Sequence, residues 1–269
     1  MNYAFELHPE IEEKQKAHLI NSDDQYSSIS NYEKFLFFLG RLVNLKKKNK
    51  ILVVGCGPRP EFIEFLKEKS FEVKGIEPVE KFVNAANEYL ATKDVVVQGS
   101  AEQLPEGDES HEIIILDSVM EHVDSPHKCL NEAFRILKPG GVLYIQTTNR
   151  YRVVFSGKNN EYRIRYYQYL PDFIKESYVH HHLHRNPTLA NYSARPAVHW
   201  YTFNKLCRLG RAAGFSRFFS RVDLYRPDDD YIRSSFLKRI LLVACIRSPF
   251  LRALVLTQTG SVIFMYKRE

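Results

Sequence analysis

Between Ile51 and Thr148, short apolar runs alternate with stretches of helical periodicity, and this rhythm restricts the chain to few folds. The runs are ILVVG, FEVKGIE, KDVVVQG, HEIIILD and VLYIQTT. Runs this short and this rich in branched apolar residues suit strands buried on both faces, as in a parallel sheet. Between them, EFIEFLKEKS sets Phe62, Phe65 and Leu66 on one side, and VEKFVNAANEYLA sets Val79, Phe82, Ala86 and Tyr89 in register. Ser125 as N-cap, Pro126 in the first turn, and Leu130, Ala133, Phe134 and Leu137 at i, i+3, i+4, i+7 mark a third helix, which KPGG stops. Strands alternating with helices predict an α/β domain, doubly wound about a mostly parallel sheet.

Four segments follow from this. Residues 1–50 read as an N-terminal helical cap, because Phe35, Phe38, Leu39 and Leu42 recur at helical spacing. Residues 51–149 are the α/β core. Residues 150–200 break the rhythm, hold seven of the 16 tyrosines and five of the 10 histidines, and read as an insertion covering a site. Residues 201–269 resume regular structure: a helix capped by Thr202 and ending at Gly214, a strand FFSRVDLY, a helical stretch over SFLKRILLVACIRSPFLRALVL, and a last strand SVIFMYK.

The net charge of +6 conceals an asymmetry: 17 basic against 24 acidic residues before Arg150, and 21 against 8 from there onward. A basic half of this kind serves nucleic acid, an anionic membrane face or an acidic substrate, or is simply a solvated surface. The four cysteines form no CxxC pair, so neither a zinc ribbon nor a disulfide framework is expected. The start MNYAFELHPEIEEK is not an ordinary secretory signal, and no apolar run reaches the length of a membrane span. A cytoplasmic setting is the expectation, with peripheral contact at the inner face of a membrane as its variant.

Strand, then VVGCGPRPEF, then helix is a glycine turn that brings backbone N–H groups toward a polar ligand. A nicotinamide fingerprint wants a third glycine where Pro60 stands, which disfavours a pyrophosphate. Glu77 closes the second strand, 22 residues after Gly55, where a carboxylate can accept both hydroxyls of a ribose. The plainer reading of such an acid is a solvated loop residue. Three further strand ends are polar: Gly99-Ser100-Ala101-Glu102, Asp117-Ser118 and Thr148-Asn149.

Taken in order, VVGCGPRPEF, GIEP, QGSAEQLP, IIILDSVMEHV, ILKPGGVLYIQTTNRY and VHWYTFNKLCRLGRAAGF resemble the class I S-adenosylmethionine-dependent methyltransferases, in the small-molecule branch with the ubiquinone-biosynthesis type enzymes. The motifs cover about half the chain. The resemblance implies a Rossmann-like, seven-stranded sheet whose last pair is antiparallel, and makes 51–149 the cofactor-binding part. It implies S-adenosylmethionine as cofactor, with Gly55, Cys56 and Gly57 under its methionine part, Glu77 on the ribose, and Pro78, Ser100 and Ala101 about the adenine. Asp117, Ser118 and His122 would lie near the methionine end. Val53, Arg59 and Ser100 depart from the family pattern.

An activated methyl group asks chiefly for a positioned nucleophile and, at a hydroxyl, a base. The candidates for the base are His199, His182 and Asp117; His180 and His184 are the neighbouring histidines of the HHLH run. A magnesium site is not expected, because Asp117 and Asn149 supply only two oxygen ligands. The acceptor is expected to be a small molecule methylated at oxygen, with acidic, aromatic, glycosyl and lipid-linked compounds as its classes. Tyr151, Tyr162, Tyr166, Tyr167 and Tyr169, interleaved with Arg150, Arg152, Arg163 and Arg165, could wall such a guest, or simply pack the insertion. Apolar residues from Phe236 to Leu256 with basic ones between could rest on a membrane; such stripes more often pack on a sheet edge. The rivals are an RNA methyltransferase using the basic half and a non-catalytic binding module on the same fold. The first is disfavoured because DSVM lacks the Asn/Asp-Pro-Pro-aromatic string used on exocyclic amines.

Overall fold

The computed structural model describes residues 13, 17, 32–152, 166–178, 181, 197–259 and 262–268. Seven strands form one sheet: β1 (Lys50–Val54), β2 (Glu72–Glu77), β3 (Val96–Gln98), β4 (His111–Asp117), β5 (Leu137–Gln146), β6 (Arg217–Phe219) and β7 (Val262–Tyr266). Their spatial order is β3-β2-β1-β4-β5-β7-β6. The first five are parallel, and β7 runs against both of its neighbours. The chain leaves β1 for one flank and reaches β4 on the other. The switch point, where open α/β sheets bind ligands, therefore lies between the carboxyl ends of β1 and β4.

Alternation within each strand divides the core. Leu52, Val54, Ile114, Leu116, Leu143, Ile145, Ile263 and Met265 meet the helices α4 (Pro126–Ile136) and α6 (Phe203–Ala212) on one face. Ile51, Val53, Ile113, Ile115, Val142, Tyr144 and Phe264 meet α1 (Tyr32–Leu39) and α2 (Glu61–Glu68) on the other. Both faces being covered explains why the strands read as unbroken apolar runs. The helix α1 lies on the sheet face, with Phe35 edge-on to Tyr144 at 4.8 Å. Of the expected cap over 1–50, Glu13 pairs with Lys81 in the first turn of α3 (Glu80–Tyr89), beside the end of β2.

Local chemistry sets the element ends. Ser125 Oγ accepts from Lys128 N and Thr202 Oγ1 from Lys205 N, capping α4 and α6. Helix α4 passes straight into β5 at Leu137, and Lys267 Nζ, from the end of β7, donates to the carbonyls of Phe134 (3.0 Å) and Leu137 (2.6 Å). The expected strand FFSRVDLY is a different structure. Strand β6 ends at Phe219, and Ser220 N donates to Asp223 Oδ2 at 2.7 Å in a capping box that starts α7 (Arg221–Leu224). That local hydrogen bonding draws the chain into a helix before the strand can continue.

Residues 150–200 contribute α5 (Asp172–Tyr178) among the described residues. After α7 come α8 (Asp230–Arg233), α9 (Phe236–Arg247) and α10 (Pro249–Thr259). The last two meet at a 118° bend, where Pro249 cannot extend the preceding helix. No single described helix is long and apolar enough to cross a membrane.

Candidate functional site

The turn after β1 folds back on β2. Gly55 N–H donates to Ile76 O at 2.7 Å and Gly57 N–H to the carboxylate of Glu77, at Oε2, 3.1 Å. The other carboxylate oxygen accepts from Val79 N at 3.2 Å. Both glycines hold positive φ, +70° and +69°. A Cβ on Gly55 would stand 2.5 Å from Val119 Cγ2, so the turn after β4 presses directly on the turn after β1. The two features the sequence singled out, the glycine turn and the acid 22 residues on, are in contact.

Glu77 is 5% exposed. Burial is the main cause that pushes its pKa up from 4.5 to about 7, against the two backbone hydrogen bonds that favour the charged form. Burial and the nearby Glu77 charge also push the Cys56 thiol up, so it stays protonated and acts as a small apolar group. The charge of Arg59 is felt at the Tyr89 hydroxyl of α3.

The remaining strand ends gather at the same rim. Gly99 N–H donates to Glu77 O at 3.1 Å, and the Gln98 side chain to Pro78 O at 3.1 Å, which brings the β3 end against the β2 end. Beyond it, Ser100 is exposed and Ala101 buried. Asp117 and Ser118 close β4; Ser118 takes positive φ, +56°, and its N–H donates to Gln146 O at 2.9 Å. His122 is half-buried, its N–H donating to Val119 O. These ten residues, Gly55, Cys56, Gly57, Glu77, Pro78, Ser100, Ala101, Asp117, Ser118 and His122, thus form one shelf over four strand ends.

Behind the shelf, residues 197–201 are stapled to the turn after β4. Val198 N and His199 N donate to Glu121 O, and Tyr201 Oη donates to Met120 O. The buried Glu121 carboxylate accepts from Thr147 Oγ1 at 2.7 Å. The His199 ring is buried and pairs through Nε2 with Val123 O at 2.8 Å, which selects the tautomer with its proton on Nε2. Burial lowers its pKa, so the ring is neutral at pH 7. His182 lies outside the described residues, as do His180 and His184. His181 pairs through Nδ1 with Ser177 O at 2.8 Å. Asn149, weighed as a metal ligand, gives its amide to Thr257 O (3.1 Å) and accepts from Tyr151 N, tying β5 to α10. Among the described residues no three His, Cys, Asp or Glu side chains gather as a metal site. Two surface recesses lined by Arg217 and Phe219 lie at the β6 edge, away from the glycine turn.

Thr147 and the Lys175–Trp200 pair escaped the sequence reading. No spacing announces them; only folding brings residues 166–200 against the strand ends.

Residues 52–145, from β1 to β5, match the family described as a methyltransferase domain. The match covers about a third of the chain. Among curated proteins the chain is similar to an uncharacterized methyltransferase of Schizosaccharomyces pombe, 32% identical over 108 residues, 36% of this chain and 39% of that protein. It is similar also to the ubiquinone biosynthesis O-methyltransferase of Maricaulis maris, 32% identical over 111 residues, 40% of this chain and 43% of the relative. The alignments therefore span about two fifths of these relatives' length. A chain from the Haloferax volcanii complex with the Trm112 methyltransferase activator superposes with a TM-score of 0.54 over 95% of this chain and 98% of its own, at 16% identity. Phosphoethanolamine N-methyltransferase 2 of Haemonchus contortus, in complex with S-adenosyl-L-methionine, gives 0.53 over 94% of this chain and 56% of its own, at 14% identity. At such identities the likeness concerns the fold, whose sheet is completed beyond residue 145 by the reversed strand β7 and its neighbour β6.

Proposed function

We propose that the chain is an S-adenosylmethionine-dependent methyltransferase that methylates a small molecule, at oxygen. The observation that carries this is the contact between the Gly57 N–H and the Glu77 carboxylate. One buried acid, with two backbone donors behind it, faces the switch point of the sheet. A group with a pair of hydroxyls would complete its hydrogen bonds and favour its charged form. The donor set suits an adenosyl sulfonium: Glu77 for the ribose hydroxyls, Pro78, Ser100 and Ala101 about the base, and Gly55, Cys56 and Gly57 under the methionine part. Asp117, Ser118 and His122 would border its reacting end. Bound there, S-adenosylmethionine supplies a methyl group already activated on sulfur. The protein's task is then to hold the acceptor, exclude water and take a proton. Rigid orientation of this kind contributes about 7–11 kcal/mol in favourable cases. For the proton we propose Asp117, at the end of β4, or the neutral His199 behind it, with His182 as the third candidate.

The family resemblance to ubiquinone biosynthesis O-methyltransferases supports a hydroxyl acceptor. We further propose a cytoplasmic protein that rests on the inner face of a membrane through α9 and α10. Phe236, Leu237, Ile246 and Phe250 are 79%, 73%, 62% and 76% exposed. Residues 231–268 hold seven Lys and Arg and no acid. An apolar face with a basic surround suits an anionic leaflet.

Calorimetry with S-adenosylmethionine and S-adenosylhomocysteine tests the central claim. Binding is expected for both, with loss on Glu77→Ala. No heat from either ligand at millimolar concentration would overturn it.

A further inference from the structure

A second group of polar side chains stands beside the shelf, where β5 hands the chain to the cover. Arg150 follows the end of β5, and its N–H donates to Tyr201 O at 2.8 Å. Lys175 projects from α5 and lies over the Trp200 ring, 5.6 Å from its centroid. Lys205, in the first turn of α6, donates to Trp200 O at 3.3 Å and lies over the Tyr201 ring. Tyr167 packs on Trp200 with centroids 6.0 Å apart.

One donor here is buried without an acceptor: the indole Nε1 of Trp200, a residue 4% exposed, has no hydrogen-bond partner. Lys175, equally buried, is answered by Asp172 Oδ1 at 2.8 Å. Asp172 must also answer Arg150, at 3.4 Å, and feels the charge of Lys205. Three cations thus share one carboxylate whose side chain is 59% exposed. Burial, with repulsion from Arg150 behind it, lowers the pKa of Lys175 and Lys205 against the pull of Asp172.

A buried donor without an acceptor, set among cations that outnumber the one carboxylate near them, is what an oxyanion satisfies. We infer that the cluster of Arg150, Lys175, Trp200 and Lys205 holds the carboxylate or phosphate of an anionic acceptor, beside the indole edge of Trp200. That the anion belongs to the methyl acceptor rests on the proposed methyltransferase reading. The anion site itself is tested apart from it.

Trp200 is the only tryptophan, so its emission reads this cluster alone. The full chain is titrated with inorganic phosphate, with benzoate and with neutral benzamide while that emission is followed, and S-adenosylhomocysteine binding is measured in parallel by calorimetry. A saturable change is expected with benzoate or phosphate and none with benzamide. Lys175→Gln and Lys205→Gln should each weaken it about tenfold, the usual worth of a hydrogen bond to a charged group, with cofactor-product affinity unchanged. Lys205 and Arg150 are only half-buried, so Lys205→Gln and Arg150→Gln carry the test if Lys175→Gln does not fold. The inference falls if neither oxyanion alters the emission, if benzamide acts equally, or if the variants bind undiminished. Oxyanion binding without S-adenosylhomocysteine binding would instead remove the methyl-transfer reading and leave the site standing.

Discussion

A carboxylic acid that titrates near neutrality gives its ligand a pH-dependent affinity. Glu77, with its pKa at about 7, must lose a proton before it can accept two hydroxyls. S-adenosylhomocysteine should therefore bind roughly tenfold more weakly one pH unit below that value than well above it, which calorimetry across pH 6 to 8 measures. The stability of the ligand-free protein should follow the opposite slope. The folded-state pKa exceeds the ordinary 4.5, so folded chains keep a proton that unfolded chains have already released. The stability due to the protonated acid is full below about pH 4.5, falls as pH rises toward 7, and is lost above it. The whole effect is ~3 kcal/mol. Urea unfolding at pH 5 and pH 8 should show Glu77→Gln gaining on the parent protein by up to that amount at the higher pH. Gly55 is equally constrained, by its φ of +70° and by Val119 at 2.5 Å from a would-be Cβ. Gly55→Ala should lower stability by about 2–4 kcal/mol from backbone strain and overpacking together and abolish S-adenosylhomocysteine binding; an alanine variant that binds normally would show that this turn does not carry the ligand.

Helix ends are where the sequence spoke most and least clearly. Ser125-Pro126 and Thr202 announced the starts of α4 and α6, because a cap is a local hydrogen bond that depends on neighbours in the chain. The junction at Leu137 was not legible. What holds it is Lys267, over a hundred residues away, whose ammonium occupies the last carbonyls of α4. Lys267→Met keeps the stem and removes the donor, leaving two carbonyls short of a partner. About 2–4 kcal/mol should be lost, measured by chemical denaturation with cofactor-product binding intact at low denaturant. The same division holds at the site. Glycine turn, strand-ending acid and polar strand ends were readable because parallel strands all end at one rim. The tie between His199 Nε2 and Val123 O is a contact no local spacing encodes. The ending of β6 was misread because Phe218 and Phe219 look like the start of a longer strand, while the Ser220–Asp223 pair that stops it weighs little in a periodicity count.

At the scale of the molecule, charge and apolar exposure are both uneven. The acidic half builds most of the sheet, and the basic half carries the cover and the bent helix pair, whose apolar side chains face solvent. Sedimentation with vesicles tests the membrane reading. The chain should pellet with phosphatidylglycerol vesicles and stay in solution with phosphatidylcholine, and Phe236→Ser with Phe250→Ser should release it while S-adenosylhomocysteine still binds. Retention by neutral vesicles alone would argue against the charge contribution. The four cysteines offer a separate handle: each is buried, one beneath the glycine turn, one in α4, one in α6 and one in α9. A thiol-alkylating reagent meets none of them in the native protein, so successive mass increments during slow labelling would time the opening of each helical layer, and a ligand that closes the rim should delay Cys56 before the others.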